Sequence, residues 1–293
     1  MISDEYIIIR PPSEANSFLL PITFGCSHNK CTFCPFYRGI RFRARSLDDI
    51  KRDIDEVAKN YSWSVRRVFL ENGDALVCSY SRLKDILGYL NERFPYLERV
   101  ASYATPQNAL HKTTEELASL KQLGLKLVYF GVESGDEEIL LKVQKGVNYA
   151  QIVEAAQKMK RANITLSATI ILGLGGVKGS KRHALETARI LSEIDPDYVG
   201  ALTLMIAPET ELYDEWKEGK FSAISPLETL EELKIIIANS KFTNCFFTAN
   251  HASNYLPLKI NLPEQGEEAI KLLNKLLADK DASTLKPEFL RAL

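Results

Sequence analysis

The chain lacks any apolar run able to cross a bilayer: its longest, Ile164 to Leu174, falls well short of the roughly 20 residues a spanning helix needs. No charged start followed by an apolar stretch marks a secretory signal, so the expected compartment is the cytoplasm, without a membrane partner. A charge excess is missing too. The net charge is -1, which withholds the general positive field of a protein that grips a nucleic-acid backbone. Five cysteines in 293 residues are too few, and odd in number, for a disulfide-stapled scaffold. There is no linker, internal repeat or low-complexity tract, and no glycine segment ends in Gly-Lys-Ser/Thr, which disfavours a nucleoside triphosphate loop. What remains is an ordinary globular composition, long enough for one α/β domain of about 250 residues or two smaller ones.

The most informative residues present are Cys26, Cys31 and Cys34, spaced C-x4-C-x2-C. An electron-transfer cluster normally takes four thiolates, and a structural zinc closes with four Cys or His ligands. Three clustered thiols suggest an iron-sulfur cluster with one iron open for chemistry. His28 offers a fourth ligand, so a small zinc site is the alternative. Immediately downstream, Arg38, Arg41, Arg43 and Arg45 interleave with Tyr37 and Phe42. They line an anionic pocket or a nucleic-acid backbone, or simply face water from alternate strand positions.

Strand-like and helix-period segments then alternate, as parallel strands with crossover helices require. Strands are expected at Phe18 to Phe24, Val65 to Leu70, Arg99 to Tyr103, Lys126 to Val132, Thr165 to Leu172 and Tyr198 to Met205. Helices are expected near Leu47 to Asn60, Ser81 to Phe94, Thr114 to Leu123, Asn148 to Ala162 and Lys181 to Ile194, with Ser46 and Thr113 as N-caps. The order predicts an α/β fold, a partial (β/α)6 TIM-like barrel. Its C-terminal extension holds a helix over Leu227 to Ala238, a strand over Phe242 to Thr248 and a helix over Glu264 to Ala278. The expected organisation is an N-terminal segment over 1–17, a core over 18–210, and the extension over 211–293, packing on the barrel and contributing to the substrate site.

Chemistry in such barrels sits at the carboxyl ends of the strands. The cysteines follow the first expected strand and Glu71-Asn72-Gly73-Asp74 the second. Tyr103-Ala-Thr-Pro106 closes the third, Gly131-Val-Glu133-Ser134 the fourth, Gly173-Leu-Gly175-Gly176 the fifth and Ala207-Pro208-Glu-Thr210 the sixth. On these motifs, over about residues 18 to 210, the chain resembles the radical S-adenosylmethionine enzymes, in the branch of the coproporphyrinogen-oxidase-like and elongator-like members. Its cysteine spacing is one residue longer than the family's commonest.

The resemblance implies a 4Fe-4S cluster on Cys26, Cys31 and Cys34, with S-adenosylmethionine chelating the open iron. One-electron cleavage would yield a 5'-deoxyadenosyl radical that takes hydrogen from an unidentified substrate, and a small ferredoxin- or flavodoxin-type protein would supply the electron. It places Phe33 beside the adenine and Asn72, Gly73 and Asp74 at the methionine ammonium. Alternatively, Asp74 is a turn carboxylate capping the helix that follows. Glu133 and Ser134 fall at the ribose and Lys145 at the methionine carboxylate, unless Lys145 is a solvated helix-end lysine. Gly173 opens the segment along the adenine. Tyr103 and Thr169 stand where the branch has polar or acidic residues, which leaves ribose recognition more to Glu133. The alternatives are a tRNA-modifying relative, with nucleic acid as a less favoured partner, and a non-catalytic zinc or iron-sulfur scaffold.

The polar segment Thr248-Ala-Asn250-His251-Ala-Ser253-Asn254-Tyr255 follows the seventh expected strand. His251 is its candidate catalytic acid or base, and a surface loop histidine is the other reading. Cys78 and Cys245 are too far apart in sequence to build a second cluster. Both read as buried and inert, with Cys245 also a candidate hydrogen donor.

Overall fold

The computed structural model describes residues 9–280 and 282–292, so most of the expected 1–17 segment's first half lies outside the described residues. The chain runs β1 (Phe18–Pro21), β2 (Thr23–Phe24), β3 (Arg43–Ala44), α1 (Leu47–Tyr61), β4 (Arg67–Glu71), α2 (Tyr80–Arg93) and β5 (Arg99–Ala104). It continues through α3 (Pro106–Leu110), α4 (Thr114–Gln122), β6 (Leu125–Glu133), α5 (Glu137–Lys142), α6 (Tyr149–Arg161), β7 (Thr165–Leu172) and α7 (Gly176–Ile194). Last come β8 (Tyr198–Thr203), α8 (Glu211–Lys217), α9 (Pro226–Asn239), β9 (Cys245–Thr248), β10 (Lys259–Leu262) and α10 (Gly266–Asp279). The strand order of the main sheet is β1-β4-β5-β6-β7-β8-β9-β10. This is a mostly parallel α/β order, that of a partial TIM-like barrel extended by β9 and β10.

The chain divides into two compact units. The first comprises Met1–Asn29, Phe36–Gly131 and Glu154–Leu166. Its strands β1, β4, β5 and β6 pair in parallel, with Leu19, Phe69, Ala101 and Leu127 in one row across the ladder. Because side chains alternate across a strand, these four face the same side, and they pack with Tyr103 and Tyr129. The Phe69, Tyr103 and Tyr129 rings meet edge on at 5.2 to 6.0 Å, the arrangement aromatic quadrupoles favour. The opposite row, Leu20, Leu70, Ser102 and Val128, is buried on the other face. Helix α1 buries Ile50, Ile54 and Ala58 at helical spacing, and α2 buries Leu83, Ile86, Leu87 and Leu90. Ser46 and Thr113 cap α1 and α4 as expected, Thr113 within a full capping box with Glu116.

The second unit comprises Lys30–Pro35, Val132–Val153 and Ser167–Leu293. Here β7, β8 and β9 run parallel, and β10 returns antiparallel to β9 with Lys259 opposite Thr248. Helix α7 buries Ala184, Ala188, Leu191 and Ile194, and α9 buries Leu230, Leu233, Ile236 and Ile237. The turn between β6 and α5 crosses α7 so closely that a Cβ on Gly135 would lie 2.1 Å from the Glu186 carbonyl oxygen. Donation from Gly135 N–H to Thr187 Oγ1 fixes the crossing.

Several element boundaries differ from expectation. The first strand ends at Pro21, which has no N–H to extend a ladder, and Thr23–Phe24 turns away to pair with Arg43–Ala44. Helix α7 starts at Gly176, not Lys181, because Val177 N–H is held by the Ser222 carbonyl and tertiary contact overrides the poor helix propensity of Gly176 and Gly179. The strand expected from Phe242 begins at Cys245, β8 ends at Thr203, and β10 was not anticipated. Helices α3, α5 and α8 are too short to show a period in sequence.

One tie of the first unit has no sequence signature. Glu14 is fully buried and accepts from Arg99 at 2.6 Å, Tyr129 Oη at 2.6 Å and Ser17 Oγ at 2.5 Å. Removing it takes the carboxylate from the Arg99 guanidinium and leaves the Tyr129 hydroxyl with Ser13 Oγ, a penalty of about 3 kcal/mol. Urea unfolding of Glu14→Ala is expected to show that loss. A change below about 1 kcal/mol would mean that water replaces the carboxylate.

Candidate functional site

In the first unit the candidate residues lie at the carboxyl ends of β2, β4 and β5. Gly25, in the left-handed region at φ 71°, leads into Cys26. Gly73 N–H donates to the Gly25 carbonyl at 3.3 Å. A Cβ on Gly73 would stand 2.7 Å from Cys26 Cα, so only glycine permits this crossing. The Asp74 carboxylate is buried and fully engaged by the protein. It accepts from Leu76 N–H at 2.8 Å, Thr105 N–H at 2.9 Å, the Thr105 hydroxyl and Asn108 Nδ2 at 2.8 Å. The first of these bonds is the capping role that stood as its alternative reading. Burial raises the Asp74 pKa against the pull of those donors. Asn108 Nδ2 also donates to Ser27 Oγ at 3.0 Å, linking the residue after Cys26 to Asp74. Asn72, at φ 76°, is buried, and its Nδ2 has no hydrogen-bond partner among the described residues. Tyr103 stands in the aromatic cluster of the core, with burial raising its pKa.

In the second unit the segment Cys31 to Cys34 closes a turn, Cys34 N–H to Cys31 carbonyl at 3.2 Å. It is bound on both sides: Thr32 N–H donates to the Val143 carbonyl, and Leu212 N–H to the Thr32 carbonyl, each at 3.0 Å. Phe33 packs against Ile139, Val143 and Leu174. Glu133, in the left-handed region at φ 63°, accepts from Lys145 Nζ at 2.8 Å, and both side chains are nearly buried. Lys145 is therefore an interior residue, and its reading as a solvated helix-end lysine is corrected. Ser134 is buried and bonds His183 Nδ1 at 2.8 Å.

His183 and Glu232 went unnoticed in the sequence because each sits mid-helix beside other charged residues, Lys181 and Arg182 in one case and Glu231 in the other, so nothing local marks it as buried. His183 Nε2 lies 3.0 Å from the Ile171 carbonyl, which assigns the neutral Nε2–H tautomer and leaves Nδ1 to accept from Ser134. Burial holds its pKa down at about 4. Glu232 Oε2 accepts from the Gly173 N–H at 2.7 Å while Oε1 has no partner among the described residues. Burial lifts its pKa to about 7. The 4.0 Å approach of the two side chains is thus a contact of neutral groups just below neutrality.

Segment 248–255 is fastened to β8: Asn254 accepts from Thr203 Oγ1 and donates to the Ala201 carbonyl, both at 2.8 Å. His251 Nδ1 accepts from Ser253 N–H at 3.2 Å, and burial with nearby Lys286 lowers its pKa. Arg291 donates to the Ser253 and Leu204 carbonyls at 2.6 and 2.7 Å. Cys245 is fully buried at the amino end of β9, its pKa pushed up to about 12 by burial, and Cys78 is buried with a raised pKa.

Among the described residues no group of three or more His, Cys, Asp or Glu stands in metal-holding geometry. The local surroundings still fit the expected cofactors. Cys26, Cys31 and Cys34 are partly exposed whereas the other two thiols are buried, Gly73 leaves the backbone bare, and Asn72 holds an unspent buried donor.

Residues 20–188 match the Radical SAM superfamily model, and the chain belongs to that family. It is 21% identical over 220 residues to the heme chaperone HemW of Bacillus subtilis (72% of this chain, 56% of that one). It is 27% identical over 216 residues to the tRNA-2-methylthio-N(6)-dimethylallyladenosine synthase of Dehalococcoides mccartyi (69% and 48%). The chain thus spans about half the length of these curated relatives. An uncharacterized protein of Methanocaldococcus jannaschii matches at 24% over 280 residues, 91% of this chain and 81% of its own length. The fold is that of the Escherichia coli coproporphyrinogen III oxidase, at TM-score 0.59 and 17% identity, with 76% of this chain and 51% of that one covered. Elp3 of Methanocaldococcus infernus gives TM-score 0.52 at 16% identity (88% and 63%).

A pH dependence follows from Glu232. In the folded protein it keeps its proton up to about pH 7, against about 4.5 when free. The Glu232 contribution to stability is therefore present below pH 4.5 and lost as pH rises through 7. Glu232→Gln removes that slope and is expected to gain on wild type by about 3 kcal/mol between pH 4.5 and 8. The His183 contribution runs the other way but is common to both proteins. Parallel stability curves would contradict the buried, proton-holding carboxylate.

Proposed function

We propose that the chain is a radical S-adenosylmethionine enzyme that binds one 4Fe-4S cluster through Cys26, Cys31 and Cys34. The observation that carries the reading is the cysteine triplet, three partly exposed thiols where the chain's other two are buried, inside a chain matched to the family. When bound, the cluster and S-adenosylmethionine supply reductive cleavage to a 5'-deoxyadenosyl radical, which takes a hydrogen atom from substrate.

The protein's part is orientation. The bare backbone at Gly73 allows ligand and cysteine loop to approach closely. Asn72 brings its unpaired amide donor and the carbonyls of 72–74 receive the methionine ammonium, with Asp74 as the residue that shapes this loop. Lys145, held at 2.8 Å on Glu133, brings its positive charge to the methionine carboxylate, while Glu133 serves the ribose. Ser134, tied to His183, anchors that turn. Phe33 and Gly173 border the adenine. His251, whose Nδ1 is occupied by Ser253, presents Nε2–H to substrate.

A small electron-donor protein completes the system. The arginine run supports a nucleic-acid substrate weakly: Arg45 is spent on Asp53 and the Pro21 carbonyl, and Arg43 lies over the Phe24 ring at 4.2 Å.

Anaerobically reconstituted protein, given reductant and S-adenosylmethionine, is expected to form 5'-deoxyadenosine with about four iron and four sulfide per chain. Cys31→Ala is expected to lose both cluster and product. A Cys31→Ala protein that still made 5'-deoxyadenosine would sink the assignment, and a colourless, sulfide-free protein would restore the zinc scaffold.

A further inference from the structure

We propose that the open groove between α5 and the first turns of α7 is the docking surface for a small acidic one-electron carrier protein. The inference rests on the function proposed above, which requires an electron from outside and leaves its point of entry open. The groove has a volume of about 720 Å³, with Ile139 and Leu185 in its lining and Lys142, Lys178, Lys181 and Arg182 around it. Its carboxylates, Glu138 and Glu186, are already paired, the first with Arg182 and the second with Arg189. Lys142 pairs with Glu215. Lys178 and Lys181 form no ion pair among the described residues, and no acidic residue occupies the first turn of α7 to offset its positive helix end. The surface is therefore positive where its charges are unspent.

The apolar part of the groove is Ile139 with Leu185, which is 40% exposed. Apolar area rimmed by charge is the anatomy of a protein interface. The lysines define an acidic partner.

The position of the groove decides which acidic partner. Ile139 lines it and also packs against Phe33, one of the two residues between Cys31 and Cys34. The end of the same helix holds the cysteine segment through the bond from Thr32 N–H to the Val143 carbonyl. Glycine at 175 keeps this layer thin, since a Cβ there would stand 2.9 Å from Ile139 Cδ1. A carrier seated in the groove is thus one side-chain layer from the segment that bears two of the three thiols. One electron leaves the donor, for instance a flavodoxin hydroquinone that becomes the neutral semiquinone without losing a proton, and the oxidised cluster takes it up.

The test compares wild type with Lys178→Glu/Lys181→Glu, both reconstituted, in stopped-flow reduction by flavodoxin hydroquinone and separately by dithionite, over a range of salt. Charges at a docking rim act on association rate and salt dependence. The double variant is expected to slow flavodoxin-driven reduction at least tenfold and flatten its salt dependence, with dithionite-driven reduction unchanged. Equal flavodoxin rates in the two proteins would overturn the docking surface while leaving the proposed function intact. Loss of bulk tRNA binding in the variant with an unchanged flavodoxin rate would assign the groove to nucleic acid instead. A wild type that accepts no electron even from dithionite would overturn the iron-sulfur reading, and this inference with it.

Discussion

The close crossing of two backbones at Gly73 constrains the rest of the first unit's candidate site. A side chain at this position would run into Cys26, so the loop after β4 and the start of the cysteine loop share a space only because glycine is there. Asp74 fixes the crossing from the other side, gathering four donors from its own turn, from the end of β5 and from α3. A buried carboxylate is costly to leave unpaired, and here its hydrogen bonds hold one loop geometry. The residue thereby acts on Cys26 without touching it, through Asn108 and Ser27.

The second unit solves a parallel problem with different chemistry. The turn after β6 lies flat on α7 because Gly135 has no Cβ, and Ser134 and Asp136 anchor it to His183 and Arg182. Glu133 then emerges in a left-handed conformation that L side chains seldom adopt, and Lys145 neutralises it. The turn after β7 is held by Glu232, delivered from α9. The loops after β4, β6 and β7 are thus each fixed by a buried polar group that bonds a residue distant in sequence.

That pattern explains what was legible in the sequence. The strand and helix alternation, the Ser46 and Thr113 caps, the cysteine triplet and the strand-end segments each have a local signature of period, cap or spacing. Asp74 was legible as a candidate and as a cap, whereas its bonds to Thr105 and Asn108 were not, because those residues lie 31 and 34 positions further on. Glu14, His183 and Glu232 carry no local signature. They stand in turn-like or charged stretches that read as solvent-facing, and their meaning lies in partners 115, 49 and 59 residues away. The early start of α7 was hidden for the same reason, because a distant carbonyl at Ser222 compensates a glycine-rich helix start.

The central claim is that three thiolates leave one iron free to receive S-adenosylmethionine. Electron paramagnetic resonance of the reduced, reconstituted protein, recorded with and without S-adenosylmethionine, tests it most directly. The account predicts the signal of a reduced 4Fe-4S cluster whose shape and g values change when S-adenosylmethionine is added. A cluster signal unmoved by saturating S-adenosylmethionine would contradict it.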